Sequence, residues 1–259
     1  MALRETFDED AELYDRARPR YPAALVAELA RTADLGPGRR VLEVAPGTGQ
    51  LTVALAGFGC RVTAVELGAS MAAVARRRLR DFPQVDVEVA DFERWPLPAE
   101  PFDLVVCATA WHWIDPAVRV KKAADALAPG GRLAAVVTHH VAGGDTEFFH
   151  RTQRCYQRWD PDTPPGLLLK EADEIPTETA EFENCPRLVD LEVVRHFQDI
   201  TYTTDEYIDV LLTYSNHRAL PEDLRHGLLA CVRELLDTRY GGSVTKRYLH
   251  ELITATRTD

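Results

Sequence analysis

Residues 41–50 read Val41-Leu42-Glu43-Val44-Ala45-Pro46-Gly47-Thr48-Gly49-Gln50, and the fold turns on this stretch. An apolar run with one acid inside it enters a turn carrying two glycines, and the turn opens into a segment of helical composition. Glycine admits the left-handed backbone and the close approach of a ligand that such a turn needs. Free N–H groups at the start of a helix favour an anionic guest. Strand, glycine turn and helix in succession are the unit from which nucleotide sites are built.

The same alternation extends downstream. Short apolar strands are predicted at 40–45, 61–65, 85–89, 102–108 and 131–138, with helices at 49–57, 69–80 and 116–127 between them. Strand–helix repetition at this spacing implies a parallel sheet covered by helices on both faces. Cover on both faces accounts for runs such as Leu104-Val105-Val106, which are apolar throughout instead of alternating. Upstream, residues 9–17 and 22–34 form two helices separated by Arg18-Pro19-Arg20-Tyr21-Pro22. Leu25, Leu29 and Ala33 give the second helix a buried stripe. Downstream of Val141, Gly143-Gly144, Pro161, Pro164-Pro165, Pro176 and Pro186 break the pattern. Residues 143–187 are expected to be an insertion with a helix at 145–158, placed as a lid. Strands at 188–203 and 243–254 and helices at 204–214 and 221–238 follow. The expectation is one α/β domain over 1–259, Rossmann-like and doubly wound, with a mostly parallel seven-stranded sheet. It divides into N-terminal helices at 1–39, a ligand-binding core at 40–142, the lid, and 188–259 completing the sheet.

Composition narrows the partners. A net charge of −11 opposes attraction to nucleic acid or anionic lipid. Arg76-Arg77-Arg78 lies on the polar face of a predicted helix and is expected to be solvated. No apolar run approaches the about 18 residues of a membrane span, and MALRETFDEDAELYDR lacks the apolar core of a secretory signal. Cys60, Cys107, Cys155, Cys185 and Cys231 are scattered, odd in number and without a C-x-x-C pair. That pattern fits neither a disulfide framework nor a zinc site, so no metal is expected and a reducing cytoplasm is.

The turn discriminates among nucleotides. A dinucleotide fingerprint needs a third glycine, but Gln50, Leu51 and Thr52 follow Gly49. A phosphate-binding Walker loop fails for want of Lys-Ser or Lys-Thr. What stands instead is an acid at each of three successive strand ends: Glu43, Glu66 nineteen residues beyond Gly47, and Asp91. This set suits S-adenosylmethionine. Glu43 orders polar contacts to its ammonium, Glu66 accepts from two ribose hydroxyls, and Asp91 accepts from the adenine amino group. Leu67 and Phe92 cover the adenine faces, and the turn N–H groups receive the carboxylate. Ala45, Gln50, Met71 and Ala108 complete the expected cofactor site.

In order along the chain, VLEVAPGTG, the Glu66 strand end, ADFERWPLP, FDLVVCATAWHWID and LAPGGRLA resemble the motifs of class I S-adenosylmethionine-dependent methyltransferases over residues 40–138. FDEDAELYDRARPRYP and LLTYSNH resemble flanking segments of bacterial small-molecule members. The resemblance implies transfer of a methyl group to a small-molecule acceptor. It departs from the family at Ala45, where glycine is frequent, and at Pro46, which removes one N–H donor. It also implies that Tyr14, Arg18 and Tyr21 fold over the site. The dipeptide His112-Trp113 would line the substrate pocket, with His112 the candidate catalytic residue and Tyr21 and His139 further substrate contacts. Trp111 and Asp103 are expected to be structural. The rival classes are an NAD(P)-dependent oxidoreductase and a cofactor-binding protein without turnover.

Overall fold

The computed structural model describes residues 8–258; the start of the FDEDAELYDR segment lies outside them. The elements are α1 (Ala11–Ala17), α2 (Ala23–Thr32), β1 (Arg40–Val44), α3 (Thr52–Gly57), β2 (Arg61–Glu66), α4 (Ala69–Arg78), β3 (Val85–Val89), β4 (Phe102–Ala108), α5 (Arg119–Ala126), β5 (Leu127–Gly144), α6 (Thr146–Trp159), α7 (Ala180–Glu183), β6 (Leu188–Thr203), α8 (Thr204–Leu212), α9 (Ser215–Ala219), α10 (Glu222–Arg239) and β7 (Ser243–Arg257). Seven strands form one mixed, mostly parallel sheet in the order β3-β2-β1-β4-β5-β7-β6. The pairings β3–β2, β2–β1, β1–β4 and β4–β5 are all parallel.

Chain order reverses between β1 and β4, the switch point at which open parallel sheets bind ligands. Residues of the central strands divide between two cores. Leu42, Val44, Val105 and Cys107 pack into one apolar cluster, and Val41, Leu104 and Val106 pack into another. This is the physical reason the strand sequences do not alternate: both faces are dry.

The chain separates into two compact units. One contains Arg20–Thr138, Thr177–His196 and His250–Asp259, and holds β1 to β4 and the two clusters just described. The other contains the described residues up to Pro19, His139–Pro176 and Phe197–Leu249. Its own core gathers Phe148, Phe149, Tyr207, Val210, Leu228, Val232 and Tyr248. Strands β5, β6 and β7 each contribute residues to both units. The boundaries therefore cut across the expected segments: the N-terminal helices and the 143–187 insertion are each shared between units.

Local differences from expectation have local causes. Helix α3 starts at Thr52, not 49, because Gly49 has φ +81, outside the right-handed helix. Strand β5 begins at Leu127 and continues to Gly144, longer than the expected 131–138. Pro129 bars Ala128 from the helical region and so stops α5 early. The expected helix at 204–214 ends at Leu212; Tyr214 is extended and starts the one-turn α9.

The cysteine reading is corrected by the structure. Cys155 of α6 and Cys231 of α10 form a disulfide across 76 residues, with 5.7 Å between their Cα atoms. The cysteines have no recognisable spacing because the helices that bring them together pair far apart in the chain. The other three, Cys60, Cys107 and Cys185, are free thiols. Arg76 and Arg77 are exposed as expected, and Asp103 ties down the chain entering β1 by accepting from Arg39 at 3.1 Å and from the Arg40 amide at 2.8 Å.

Candidate functional site

Where β1 ends, the backbone leaves the ordinary regions at once. Ala45 sits at φ +54, a left-handed conformation costly for a residue with a Cβ. Its N–H still donates to the Val65 carbonyl at 2.9 Å, so the strained residue prolongs the β1–β2 ladder. Gly47 at φ +61 and Gly49 at φ +81 then complete the turn. A Cβ on Gly49 would meet the Leu79 side chain at 3.3 Å and Ala75 at 3.5 Å, so the turn packs directly on the α4 region.

Glu66, the last residue of β2, holds this turn in place. One carboxylate oxygen accepts from the Gly47 amide at 2.9 Å and the other from the Gly68 amide at 2.8 Å. The acid thus clamps the glycine turn to the entry of α4. Behind the turn, Glu43 is 1% exposed. Burial, opposed by a hydrogen bond with Thr52 and reinforced by the neighbouring Glu66 charge, pushes its carboxyl up to about 8. Glu43 Oε2 and Gln50 Nε2 are both buried without hydrogen-bond partners. Unsatisfied polar atoms are rare in a native interior, and two around one strained turn mark a place suited to a polar ligand.

The other expected cofactor residues belong to the same unit. Leu67 is exposed, whereas Met71 and Phe92 are buried. The Phe92 ring lies in the core, with the Lys122 ammonium 5.3 Å from its centroid. Asp91 makes a turn of its own, its carboxylate accepting from the Glu93 amide at 3.0 Å and its carbonyl from Trp95 at 2.8 Å. Ala108 is the final residue of β4.

The exit of β4 holds a network that the sequence did not reveal. Thr109, at φ +61, is again a left-handed non-glycine residue. Its hydroxyl lies 3.0 Å from the Tyr21 hydroxyl and 3.3 Å from that of Thr138. Thr138 in turn is 2.9 Å from His250 Nδ1, and the His250 ring meets Tyr21 edge-on at 6.2 Å. Thr138 and His250 are 112 residues apart, so no local spacing links them. A polar strand end on β5 and an isolated histidine inside an apolar strand were the only clues.

Beyond Thr109, Trp111-His112-Trp113 forms a single tight turn. Trp111 is buried and stacked on Phe182 at 5.7 Å. Its Nε1 donates to Glu181 at 2.7 Å, and Glu181 is ion-paired to Arg119 at 2.6 Å. His112 keeps an exposed edge and lies 4.7 Å from the Trp113 ring. Desolvation, then the Arg119 charge, lower its pKa, so the imidazole is neutral at physiological pH.

Tyr14, Arg18 and His139 belong to the other unit. There the Arg18 guanidinium lies over the rings of Tyr14 at 5.0 Å and Tyr214 at 4.5 Å and donates to the Thr213 carbonyl at 2.9 Å. Among the described residues, no group of three or more His, Cys, Asp and Glu side chains is arranged to hold a metal.

Comparison with known proteins places this geometry. A family model described as "Methyltransferase domain" matches residues 42–135, which run from β1 into β5. An uncharacterized methyltransferase of Mycobacterium tuberculosis is 38% identical over 131 residues, 51% of each chain. The chain thus spans about half the length of the curated relatives it matches. Among solved structures, a candidate type II methyltransferase from Anaeromyxobacter dehalogenans superposes with TM-score 0.65 at 25% identity, covering 93% of this chain and 97% of its own. Phosphoethanolamine N-methyltransferase 2 of Haemonchus contortus, in complex with phosphomonomethylethanolamine and S-adenosylhomocysteine, shares the fold with TM-score 0.58 at 18% identity, covering 100% and 61%. The acid-clamped glycine turn, at the switch point of a 3-2-1-4-5-7-6 sheet, lies within the part of the chain that is similar to methyltransferase domains.

Proposed function

We propose that the protein transfers a methyl group from S-adenosylmethionine to a small-molecule acceptor, releasing S-adenosylhomocysteine. The observation that carries this reading is the Glu66 clamp on Gly47 and Gly68, next to the buried, unpartnered Glu43 Oε2 and Gln50 Nε2. These residues fit the cofactor: carboxylate oxygens for ribose hydroxyls at Glu66, and unsatisfied groups at Glu43 and Gln50 for its amino-acid end. Ala45, Gly47 and Gly49 allow close backbone approach, Met71, Leu67 and Phe92 supply apolar cover, and Asp91 and Ala108 border the site. When bound, S-adenosylmethionine supplies an electrophilic methyl on a sulfonium, which needs alignment with the acceptor more than acid–base help. A small acceptor also accords with the phosphomonomethylethanolamine named with the Haemonchus relative and with the net charge of −11, which disfavours nucleic acid.

His112, Trp113 and Tyr21 are assigned to holding the acceptor. The expected affinity for S-adenosylhomocysteine is micromolar, about −8 kcal/mol. Calorimetry with no heat at millimolar ligand, or thermal protection by NAD(H) alone, would refute the assignment. Glu66→Ala should weaken binding by about 1.5–3 kcal/mol, because a charged acceptor is lost. An unchanged dissociation constant would put the ribose elsewhere.

For His112 a positioning role is expected. His112→Ala should lower kcat about tenfold, equivalent to ~1.4 kcal/mol, with the cofactor dissociation constant unchanged. His112→Asn should retain most of the rate. A wild-type rate step with pH that vanishes in His112→Asn, together with a hundredfold loss, would make it a general base instead.

A further inference from the structure

The unit containing α6, α8 and α9 encloses a cavity of about 250 Å³ whose walls include His140, Gln153, Tyr156, Tyr214, His217 and Lys246. Lys246, on β7, is 4% exposed. A lysine is almost never buried so completely without a carboxylate partner. Here the rings of Phe149, Tyr207, Tyr214 and Tyr248 surround its ammonium at 5.5–5.8 Å. It contacts Tyr214 and lies 3.4 Å from His140 Nδ1, which accounts for two of its three N–H bonds. None of the ion pairs among the described residues includes it. Asp160, the carboxylate in the wall, is occupied by its own turn, accepting from the Thr163 hydroxyl at 2.9 Å and the Asp162 amide at 3.3 Å.

Electrostatics around the cavity are lopsided toward positive charge. Arg18 stacks on Tyr214 at 4.5 Å, adding a second cation to the same wall. Burial, then Lys246, lowers the pKa values of His140 and His217, that of His217 to about 4, so both imidazoles are neutral. Burial alone would raise the Tyr214 pKa, but Lys246 and Arg18 outweigh it and bring it below its ordinary value. Hydrogen bonding is also incomplete. His217 is 3% exposed; its Nε2 lies 2.9 Å from the Tyr156 hydroxyl, while its buried Nδ1 has no partner. Gln153 Oε1 is likewise buried and unsatisfied. A pocket with a desolvated ammonium, a second cation beside it and an orphaned imidazole nitrogen is suited to an oxyanion, for which charge-assisted hydrogen bonds are strongest.

Beyond the methyl-transfer reading above, we propose that this cavity binds a small organic anion whose carboxylate or phosphate group is held by Lys246, with His217 Nδ1 as a further hydrogen-bonding partner. The cavity's volume of about 250 Å³ suits a metabolite-sized acid.

The test is calorimetry on the whole protein saturated with S-adenosylhomocysteine. Citrate, succinate and phenylacetate serve as carboxylate probes, glycerol 3-phosphate and O-phosphoserine as phosphate probes, and succinamide and phenylacetamide as neutral isosteres. At least one acid is expected to bind tenfold or more tightly than its neutral counterpart, and the better arm identifies the oxyanion. Lys246→Met should weaken that acid at least tenfold while S-adenosylhomocysteine binds as in the wild type. Replacing a buried charge by an isosteric apolar chain is often neutral for folding. Should the variant fail to fold, the acid-to-amide preference of the wild type decides alone. Binding of no probe, equal binding of acid and amide, or an unchanged affinity in Lys246→Met would overturn the proposal. Loss of S-adenosylhomocysteine binding by the wild type would overturn the methyl-transfer reading instead.

Discussion

Glu43→Gln should become steadily more stable than the wild type as pH rises, the gap between them widening by about 5 kcal/mol from pH 4.5 to above pH 8. The folded-state pKa of about 8 lies above the ordinary 4.5 of an unfolded chain. Between those values the native protein holds a proton that the unfolded chain releases. Unfolding is therefore increasingly favoured as pH rises: the stability linked to this group is complete below pH 4.5, declines through neutrality and is lost above pH 8. Glutamine keeps the shape and one acceptor but has no proton to lose. Urea denaturation of both proteins at pH 5 and pH 9 measures the effect. A gap that is the same at the two pH values would show that Glu43 is ionised in the folded protein.

Reduction of the Cys155–Cys231 bridge carries the other large effect. Closing a loop of 76 residues restricts the unfolded chain by about 4 kcal/mol in the chain-entropy treatment. For a protein of this size that corresponds to a loss of about 10 °C in Tm. Dithiothreitol should lower the melting temperature of the wild type and leave a Cys155→Ser/Cys231→Ser double variant untouched. Thiol titration in denaturant without reductant should find Cys60, Cys107 and Cys185 only. Coincident melting curves with and without reductant would show that the bridge contributes nothing.

Sequence made the parallel half of the sheet legible because its signals are local. Strands β1, β2 and β4 are short, largely apolar runs bounded by turns, β3 alternates valine with acids, and Val41 to Gln50 carries strand, turn and helix entry within ten residues. The acids at 43, 66 and 91 could be placed at strand ends for the same reason. What escaped depends on contacts between distant residues. The Thr109–Thr138–His250 chain joins three strands, and the Cys155–Cys231 bridge joins α6 to α10. The Lys246 cavity draws on residues from 140 to 246, each unremarkable in its own segment. The strain at Ala45 and Thr109 was also hidden, since neither residue type announces a left-handed backbone.

The interleaved make-up of the two units bears on how the chain matures during synthesis. Arg18 must wait for the Thr213 carbonyl, 195 positions later, and Tyr21 and Thr138 wait for His250. Neither unit has all its segments until β7 has emerged from the ribosome, so an N-terminal portion cannot finish folding while the remainder is translated. Such distant pairings slow folding and leave half-made sheet edges open to aggregation. For the experimenter, excising residues 20–138 as a minimal domain would remove Thr177–His196 and His250–Asp259 from the same body. Internal loop trimming, with β5, β6 and β7 left whole, is the sounder route to a smaller protein.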